Sequence, residues 1–214
     1  MTMANENLSA RRDEIMLATL AHAPFDGWTR RALTTGAKDA GFGPEEALLA
    51  FPGGIPDLVD HLAVWADGRM LAALAKMDLD AMRVRDRVAA GVRARLQALS
   101  PYREAMRRLV SYLAMPQNLP LAGRLTWRTV DAVWYAAGDN ASDFNYYTKR
   151  GLLAPVLTTT VLYWLNDETE DFADTWAFLD RRIGDALKVP GLKARIEKAF
   201  SSFPRPSRLF RRPG

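Results

Sequence analysis

The chain has 214 residues, of which 49% are hydrophobic, so it is long enough for one helical domain with a sizeable core. It contains no cysteine, which excludes disulfides, thiolate metal sites and a thiol nucleophile. The net charge of +4 is unevenly distributed, because residues 190–214 carry +6 and leave −2 for the rest of the chain.

Hydrophobic periodicity is helical throughout, and no segment alternates with a period of two between turn residues. The sequence therefore predicts an all-α protein. A first helix is capped by Ser9 and broken at Pro24–Gly27. A second helix is capped by Thr29 and ends at Gly41, and a short third helix begins at Pro44.

A longer helical body follows the glycine turn at residues 52–54. Its predicted helices cover residues 55–77, 80–99, 101–115 and 121–137, and two more flank a short acidic loop, at 143–165 and from 171 onward. Asp80 is positioned to cap the second of these helices. Arginines on the side of that helix away from its apolar stripe predict a solvated basic face: Arg83, Arg85, Arg87, Arg93 and Arg95.

Three short helices before a larger helical body form the layout of TetR-type regulators. These place a helix-turn-helix first and a ligand-binding, often dimerising domain second. We therefore predict a TetR-like helical bundle that forms a homodimer. Its parts are a vestigial helix-turn-helix-like unit at 1–54, a lipid-binding and dimerisation body at 55–188, and an amphipathic helix with a basic tail at 189–214.

Charge argues against DNA binding by this front unit. Residues 1–60 contain five basic and nine acidic side chains, a net charge of −4, whereas DNA affinity depends on neutralised phosphates. The would-be recognition helix, residues 44–51, offers no Arg, Lys, Asn or Gln to a base edge and begins with Glu45 and Glu46. We expect no DNA partner, although a TetR-type regulator with a hydrophobic ligand remains the alternative.

Residues suited to catalysis are also scarce. Neither His22 nor His61 has an acidic residue three positions before it, so a di-iron bundle is not expected. No nucleophile elbow or phosphate-binding glycine loop occurs. His61 follows Asp57 by one helical turn, which predicts a surface contact, and Asp171 and Asp174 are expected to cap the last helix. The sequence predicts no enzyme, metal centre or cofactor.

The first ten residues have no apolar core flanked by basic residues, which argues against a signal peptide. The apolar run at residues 152–165 has 14 residues, fewer than the ~20 that a membrane-spanning helix needs. We expect a bacterial cytoplasmic protein that is peripheral on the inner face of the cytoplasmic membrane.

The tail carries the feature that favours membrane binding. Apolar residues at helical spacing form one stripe along residues 191–203, and basic residues interleave with Leu209 and Phe210 beyond it. This combination suits an anionic membrane surface, although docking on the protein body stays open. The predicted membrane-binding residues are Leu192, Lys193, Arg195, Ile196, Phe200 and Phe203.

Tyr146 and Tyr147 lie near the start of the helix predicted from residue 143. Neighbouring helical positions face about 100° apart, so at least one tyrosine should lie at a rim, where a partner protein or a lipid headgroup can contact it. Pro155 should kink the helix. A kinked helix beside Trp127 and Trp134 would leave a cleft suited to an isoprenoid or acyl chain, although ordinary core packing of these residues stays open.

Two sequence blocks, Asp143–Arg150 and Asp171–Leu179, resemble the ubiquinone-biosynthesis accessory family, the ninth Coq protein. The second block has the pattern Asp-Phe-x-Asp-Thr-Trp-x-Phe-Leu. Upstream, Gly27-Trp28-Thr29 and the Phe51-Pro52-Gly53-Gly54 turn are similar as well. Together the similar segments span residues 15–203.

The resemblance implies a TetR-type fold and a non-enzymatic, membrane-associated protein. Such a protein binds an isoprenoid or phospholipid and delivers a polyprenyl quinone intermediate to the di-iron demethoxyubiquinone hydroxylase. The implied hydroxylase-binding residues are Asp143, Asn145, Tyr146, Tyr147 and Arg150. Family members usually have Trp at the position of Tyr146, which implies a weaker or differently shaped contact here. The predicted lipid-binding residues are Trp127, Trp134, Leu152, Leu153, Val156 and Leu157.

Overall fold

The computed structural model describes residues 3–138 and 144–188, and all regular structure in these ranges is helical. The helices there are α1 (Met3–Asp26), α2 (Arg30–Asp39), α3 (Pro44–Ala50), α4 (Ile55–Leu74), α5 (Val84–Leu99), α6 (Arg103–Leu113), α7 (Leu119–Ala136), α8 (Phe144–Leu165) and α9 (Ala173–Lys188). Short 3-10 turns lie at 100–102, 116–118 and 170–172. The predicted all-α class is confirmed.

The first helix is longer than the sequence predicts. It begins at Met3, continues through Pro24 and ends at Asp26. The predicted cap at Ser9 is wrong, because the helix already begins six residues earlier, whereas the predicted break at Pro24–Gly27 is confirmed. Pro24 itself lies in the last turn, where a proline removes one backbone hydrogen bond without preventing the helix from continuing. Gly27, with a φ of 69°, ends the helix instead.

The predicted ends of α2 are confirmed. The Oγ1 of Thr29 accepts a hydrogen bond from the Ala32 N–H at 3.2 Å. At the other end Gly41 has a φ of 83°, and the Phe42 N–H donates to the Ala37 carbonyl at 2.8 Å. This pairing is that of a Schellman motif, in which glycine takes the left-handed position.

Close packing of α1 against α2 depends on Gly36. A Cβ atom at this position would lie 2.6 Å from the backbone nitrogen and Cα of Thr19. No side chain fits there, so the two helices approach each other more closely than any other residue would allow.

The start of α5 differs from the prediction. The predicted cap at Asp80 is wrong, because Asp78 provides the side-chain acceptor of the preceding turn and receives the Ala81 N–H at 3.3 Å. The Nε of Arg87 donates to the Met82 carbonyl at 3.0 Å and stabilises the same turn.

Pro155 lies inside α8 without breaking it. The hydroxyls of three threonines after it donate to carbonyls four residues back: Thr158 to Ala154 at 2.9 Å, Thr159 to Pro155 at 2.7 Å and Thr160 to Val156 at 2.7 Å. Back-bonding of this kind belongs to a continuous helix. The helix is therefore continuous through Pro155, and the kink predicted there stays a prediction.

The loop between α8 and α9 is organised by Asp167. This side chain is buried, and its carboxylate accepts hydrogen bonds from the N–H and hydroxyl groups of Thr169 and Thr175, at 2.5–2.9 Å. Burial by itself raises the pKa of Asp167, but these hydrogen bonds outweigh it and lower the pKa to about 2. Capping by Asp171 and Asp174 is wrong, because Asp167 and Thr169 accept the amides of this turn, but Asp174 does lie in the first turn of α9, at the positive end of the helix dipole, as predicted.

One continuous core joins the front unit to the body, with buried apolar residues from α1 to α9 in a single cluster. The Trp28 indole N–H donates to the Ala105 carbonyl of α6 at 3.1 Å, and the Arg108 Nε donates to the Pro24 carbonyl at 3.0 Å. The domain boundaries at 54 and 188 stay predictions.

Among the described helices, none alone is long and apolar enough to span a membrane, while α3 and α4 pass that test only as a pair bent by 64°.

Candidate functional site

An apolar cavity lies among α4, α5, α6, α7 and α8. Its volume is about 330 Å³, at the lower end of the range for small-molecule pockets. Aliphatic side chains make up most of its wall, among them Val59, Leu62, Leu96, Leu125 and Val161. A cavity lined in this way can hold an apolar molecule or part of one.

The cavity borders the apolar face of α6, because side chains of the opposite helices do not fill the space in front of that face. Met106, Leu109, Val110 and Leu113 recur at helical spacing, and all four line the cavity. Met106 is buried, whereas the other three are only partly buried. This period is visible in the sequence, but periodicity does not distinguish a filled face from an empty one.

The polar side chains of the wall come from α5, α7 and α8: Arg95, Thr126, Thr129 and Thr158. The Nε of Arg95 donates to Asp67 Oδ1 at 2.8 Å, and the Thr129 hydroxyl donates to the same oxygen at 2.9 Å. The side chains of Arg95 and Asp67 are 13% and 9% exposed. A buried ion pair with a third hydrogen-bond partner therefore borders the cavity.

The solvated basic face predicted for α5 is wrong at two of its five positions. Arg95 is largely buried against Asp67. Arg87 is also mostly buried, and its Nη1 donates to the Ala137 carbonyl at 3.2 Å. The sequence does not reveal these partners because Asp67 is 28 residues from Arg95 and Ala137 is 50 residues from Arg87.

One of the six predicted lipid-binding residues, Leu157, lines this cavity. The others do not: Trp127, Trp134, Leu152, Leu153 and Val156. Near Trp127 and Trp134, α8 packs directly against α7. Trp134 is buried, and its indole N–H donates to the Lys149 carbonyl at 3.1 Å. The cavity therefore lies farther along α8 than the predicted cleft.

An exposed aromatic surface lies on α7 and near the start of α8. We call it the α7–α8 aromatic surface, and it consists of Trp127 and Tyr147, which are 37% and 58% exposed. The ring centroids of Trp127 and Tyr147 are 6.2 Å apart. The prediction that at least one of the paired tyrosines lies at a rim is confirmed by Tyr147.

The remaining predicted partner-binding residues lie in or before the first turns of α8. Asn145 and Tyr146 belong to its first turn. Arg150 is 2% exposed, and its Nε donates to Asp131 Oδ1 at 2.5 Å. It therefore links α8 to α7 from inside the protein. Asp143 lies outside the described residues, as do the predicted membrane-binding residues Leu192, Lys193, Arg195, Ile196, Phe200 and Phe203.

His61 contacts a different carboxylate from the one predicted. Its Nε2 lies 2.7 Å from Asp13 Oδ1 of α1, whereas Asp57 accepts from Arg12 at 2.7 Å, so the predicted contact with Asp57 is wrong. Burial lowers the pKa of His61 against the opposing effect of Asp13. Within residues 3–138 and 144–188, no three His, Asp or Glu side chains are grouped so that they could hold a metal ion.

This order of helices, with three in a front unit and a cavity in the body behind it, is that of the TetR-like all-α proteins. The chain is similar in structure to the TetR transcriptional regulator from Nitrosomonas europaea ATCC 19718, with a TM-score of 0.67 and 23% sequence identity. The alignment covers 83% of this chain and 98% of that one. The predicted TetR-like fold is confirmed.

Sequence comparison identifies the family within this class. The COQ9 family model matches residues 119–190. The chain is 35% identical over 187 residues to the mitochondrial ubiquinone biosynthesis protein COQ9 of Rattus norvegicus, covering 82% of this chain and 58% of the relative. It is 34% identical to the Homo sapiens protein, covering 82% and 57%, and 33% identical to the Drosophila melanogaster protein, covering 92% and 62%. This chain belongs to the COQ9 family, and it spans 57–62% of the length of these relatives.

Proposed function

We propose that this chain is a non-catalytic lipid-binding accessory protein of ubiquinone biosynthesis. It binds a polyprenyl quinone intermediate at the membrane and presents it to the demethoxyubiquinone hydroxylase. The observation that carries the proposal is the apolar cavity among α4–α8. The relatives support the pathway, because they are named ubiquinone biosynthesis proteins.

The size of the cavity favours partial enclosure of the ligand. Its volume of about 330 Å³ corresponds to roughly eleven water molecules in the liquid. We expect the ring end and the first part of an isoprenoid tail to enter, while the rest of a long tail stays in the lipid. The proposed binding mode therefore requires a protein that sits on a membrane.

The decisive experiment is to identify what the protein carries. The native-purified chain is denatured, its organic extract is analysed by mass spectrometry, and a quinone or a related isoprenoid is expected in stoichiometric amount. An extract without lipid, from protein purified without detergent, would overturn the proposal.

The α7–α8 aromatic surface supports a contact with the hydroxylase, because exposed Trp and Tyr side chains are typical of protein interfaces. We expect the double variant Tyr146→Ala/Tyr147→Ala to lose the hydroxylase in a pull-down while its circular dichroism spectrum is unchanged. Tyr163→Ala, near the other end of α8, is the matched control. Retention of the hydroxylase by the double variant would contradict this contact.

We propose that the tail, residues 189–214, binds the membrane. We further propose that the protein is a homodimer and that it lies on the inner face of the bacterial cytoplasmic membrane. The relatives are named as mitochondrial proteins. We expect the full chain to pellet with anionic liposomes, and a chain that lacks residues 191–214 to remain in solution. Equal pelleting of the two would exclude the tail as the membrane-binding segment.

A TetR-type regulator with a hydrophobic ligand is the second candidate, because the fold is similar to that of a regulator. Basic residues of the front unit face carboxylates: Arg12 lies 2.7 Å from Asp57, and Arg11 lies 3.6 Å from Glu46 of α3. These pairs reduce the positive charge that DNA phosphates would need. Salt-sensitive binding to duplex DNA in a gel-shift assay would favour the regulator.

A further inference from the structure

The wall of the cavity contains a charged hydrogen-bond donor, Arg95, that the protein does not fully use. Arg95 lines the cavity with its side chain 13% exposed, and its Nε is occupied by Asp67 Oδ1 at 2.8 Å. A guanidinium group has five N–H donors. Among the described residues, no group accepts a hydrogen bond from its terminal Nη1 or Nη2.

The charges around Arg95 leave its terminal nitrogens attractive to an acceptor. Asp67 is shared, because it also accepts the Thr129 hydroxyl at 2.9 Å and has the Arg128 Nε at 3.7 Å. Arg128 and Arg124 in turn contact Asp60, each at 3.2 Å. Three arginines therefore face two aspartates, and the cluster keeps one positive charge in excess.

The rest of the wall determines what kind of molecule matches this donor. Apart from Arg95, three threonines and the buried indole N–H of Trp164, which has no hydrogen-bond partner among the described residues, the lining side chains are apolar. A molecule complementary to this wall has an apolar body and a carbonyl or carboxylate oxygen at one end. An oxygen-free hydrocarbon would fill the same space but leave the guanidinium without an acceptor.

We propose that Arg95 orients the bound lipid by donating from its terminal nitrogens to an acceptor oxygen on the lipid head. Asp67 and Thr129 hold the guanidinium in position for this contact. The inference rests on the proposed lipid binding. It adds the orientation of the lipid, whose polar head enters the cavity. Quinone carbonyls and fatty-acid carboxylates share the required chemistry.

The test compares three probes on the full chain: diphenylhexatriene, which has no acceptor, decylubiquinone and decanoate. Diphenylhexatriene binding is measured by its fluorescence, and the other two by its displacement. For Arg95→Met we expect decylubiquinone affinity to fall about tenfold to a hundredfold, as for loss of a hydrogen bond to a charged donor. Diphenylhexatriene affinity should stay within about twofold. Arg85→Met, at an exposed position of the same helix, should change neither.

The outcomes separate this inference from the proposed function. If the wild-type chain binds none of the probes, lipid binding itself fails. If Arg95→Met leaves decylubiquinone and decanoate unaffected, or weakens all three probes equally, Arg95 does not orient the lipid. If decanoate loses affinity and decylubiquinone does not, Arg95 does orient the lipid, and the lipid is a carboxylate rather than a quinone.

A second variant covers the case in which Arg95→Met does not fold. Asp67→Asn/Arg95→Gln removes both charges and keeps a polar pair of similar size, and the same loss for decylubiquinone is expected. An infrared spectrum of the complex supplies a readout that a purely structural role would not change. The quinone carbonyl band should lie at lower wavenumber in the wild-type complex than in either variant, and identical bands would overturn the inference.

Discussion

Replacing Asp167 with Asn tests the carboxylate that organises the turn between α8 and α9. In the wild-type chain one oxygen of Asp167 accepts two hydrogen bonds from Thr169 and the other accepts two from Thr175. Asn keeps one carbonyl oxygen but presents an NH₂ group in place of the second. The N–H of Thr175, a fully buried residue, would then face a donor instead of an acceptor.

The size of the effect follows from two independent considerations. A buried donor without an acceptor costs about 1–3 kcal/mol. A pKa of about 2 in the folded chain, against an ordinary value of 3.8, corresponds to about 2 kcal/mol at neutral pH, less whatever is screened by solvent in the surface groove that Asp167 borders. We expect Asp167→Asn to lower the free energy of unfolding by about 2 kcal/mol and the Tm by about 4–8 °C.

The contribution of Asp167 to stability also depends on pH. The pKa of Asp167 is depressed by folding, so its stabilising contribution is fully present above pH 3.8 and is lost as the pH falls through about 2. The difference in stability between the wild-type chain and Asp167→Asn should therefore narrow over this range.

Thermal unfolding followed by far-ultraviolet circular dichroism measures both effects. Glu168→Gln is the matched control, because it changes the neighbouring, exposed carboxylate and should shift the stability by less than about 0.5 kcal/mol. If Asp167→Asn melted together with the wild-type chain, or if the difference did not narrow in acid, the carboxylate would not have the role described.

Three further predictions concern the packing of α1 on α2, the cavity and the partly buried His61. Gly36→Ala should destabilise the chain by about 1–3 kcal/mol, because its Cβ would meet the Thr19 backbone at 2.6 Å. The control Gly123→Ala lies in open space on α7 and should stabilise the chain by about 0.5–1 kcal/mol. A higher Tm for Gly36→Ala than for Gly123→Ala would contradict the packing described. Leu109→Trp should fill the cavity and reduce the lipid found by mass spectrometry while the fold persists; undiminished lipid would place the ligand elsewhere. Because burial lowers the pKa of His61, the wild-type chain should lose stability relative to His61→Gln as the pH falls below 6.5, and parallel pH profiles would exclude this.

Features fixed by neighbouring residues could be predicted from the sequence. The Thr29 cap and the left-handed Gly41 are local, and both are confirmed. Three helices followed by a body predicted the TetR-like fold. The errors at Asp80 and Asp171 arose where several acidic residues competed for one turn, and propensity does not say which side chain reaches the backbone amide.

The candidate site was less accessible because it depends on distant pairs and on empty space. Asp13 lies 48 residues before His61, so only the packing of α1 on α4 shows that they meet. The spacing of Arg95 along α5 placed it among the arginines predicted to be exposed, whereas in the structure it borders the cavity. The cavity exists because the apolar side chains do not fill the space among five helices, and the order of residues in the sequence does not show how well that space is filled.

The hydrogen bonds of Trp28 to Ala105 and of Arg108 to Pro24 tie the N-terminal helices to the helix whose other face is the cavity wall. If α6 moved outward to admit a larger ligand, either the N-terminal helices would have to move with it or both hydrogen bonds would have to break. The front unit therefore opposes a movement of α6 away from the cavity through these two contacts. Under the proposed lipid binding, these two hydrogen bonds limit how far α6 can move to admit a bulkier ligand.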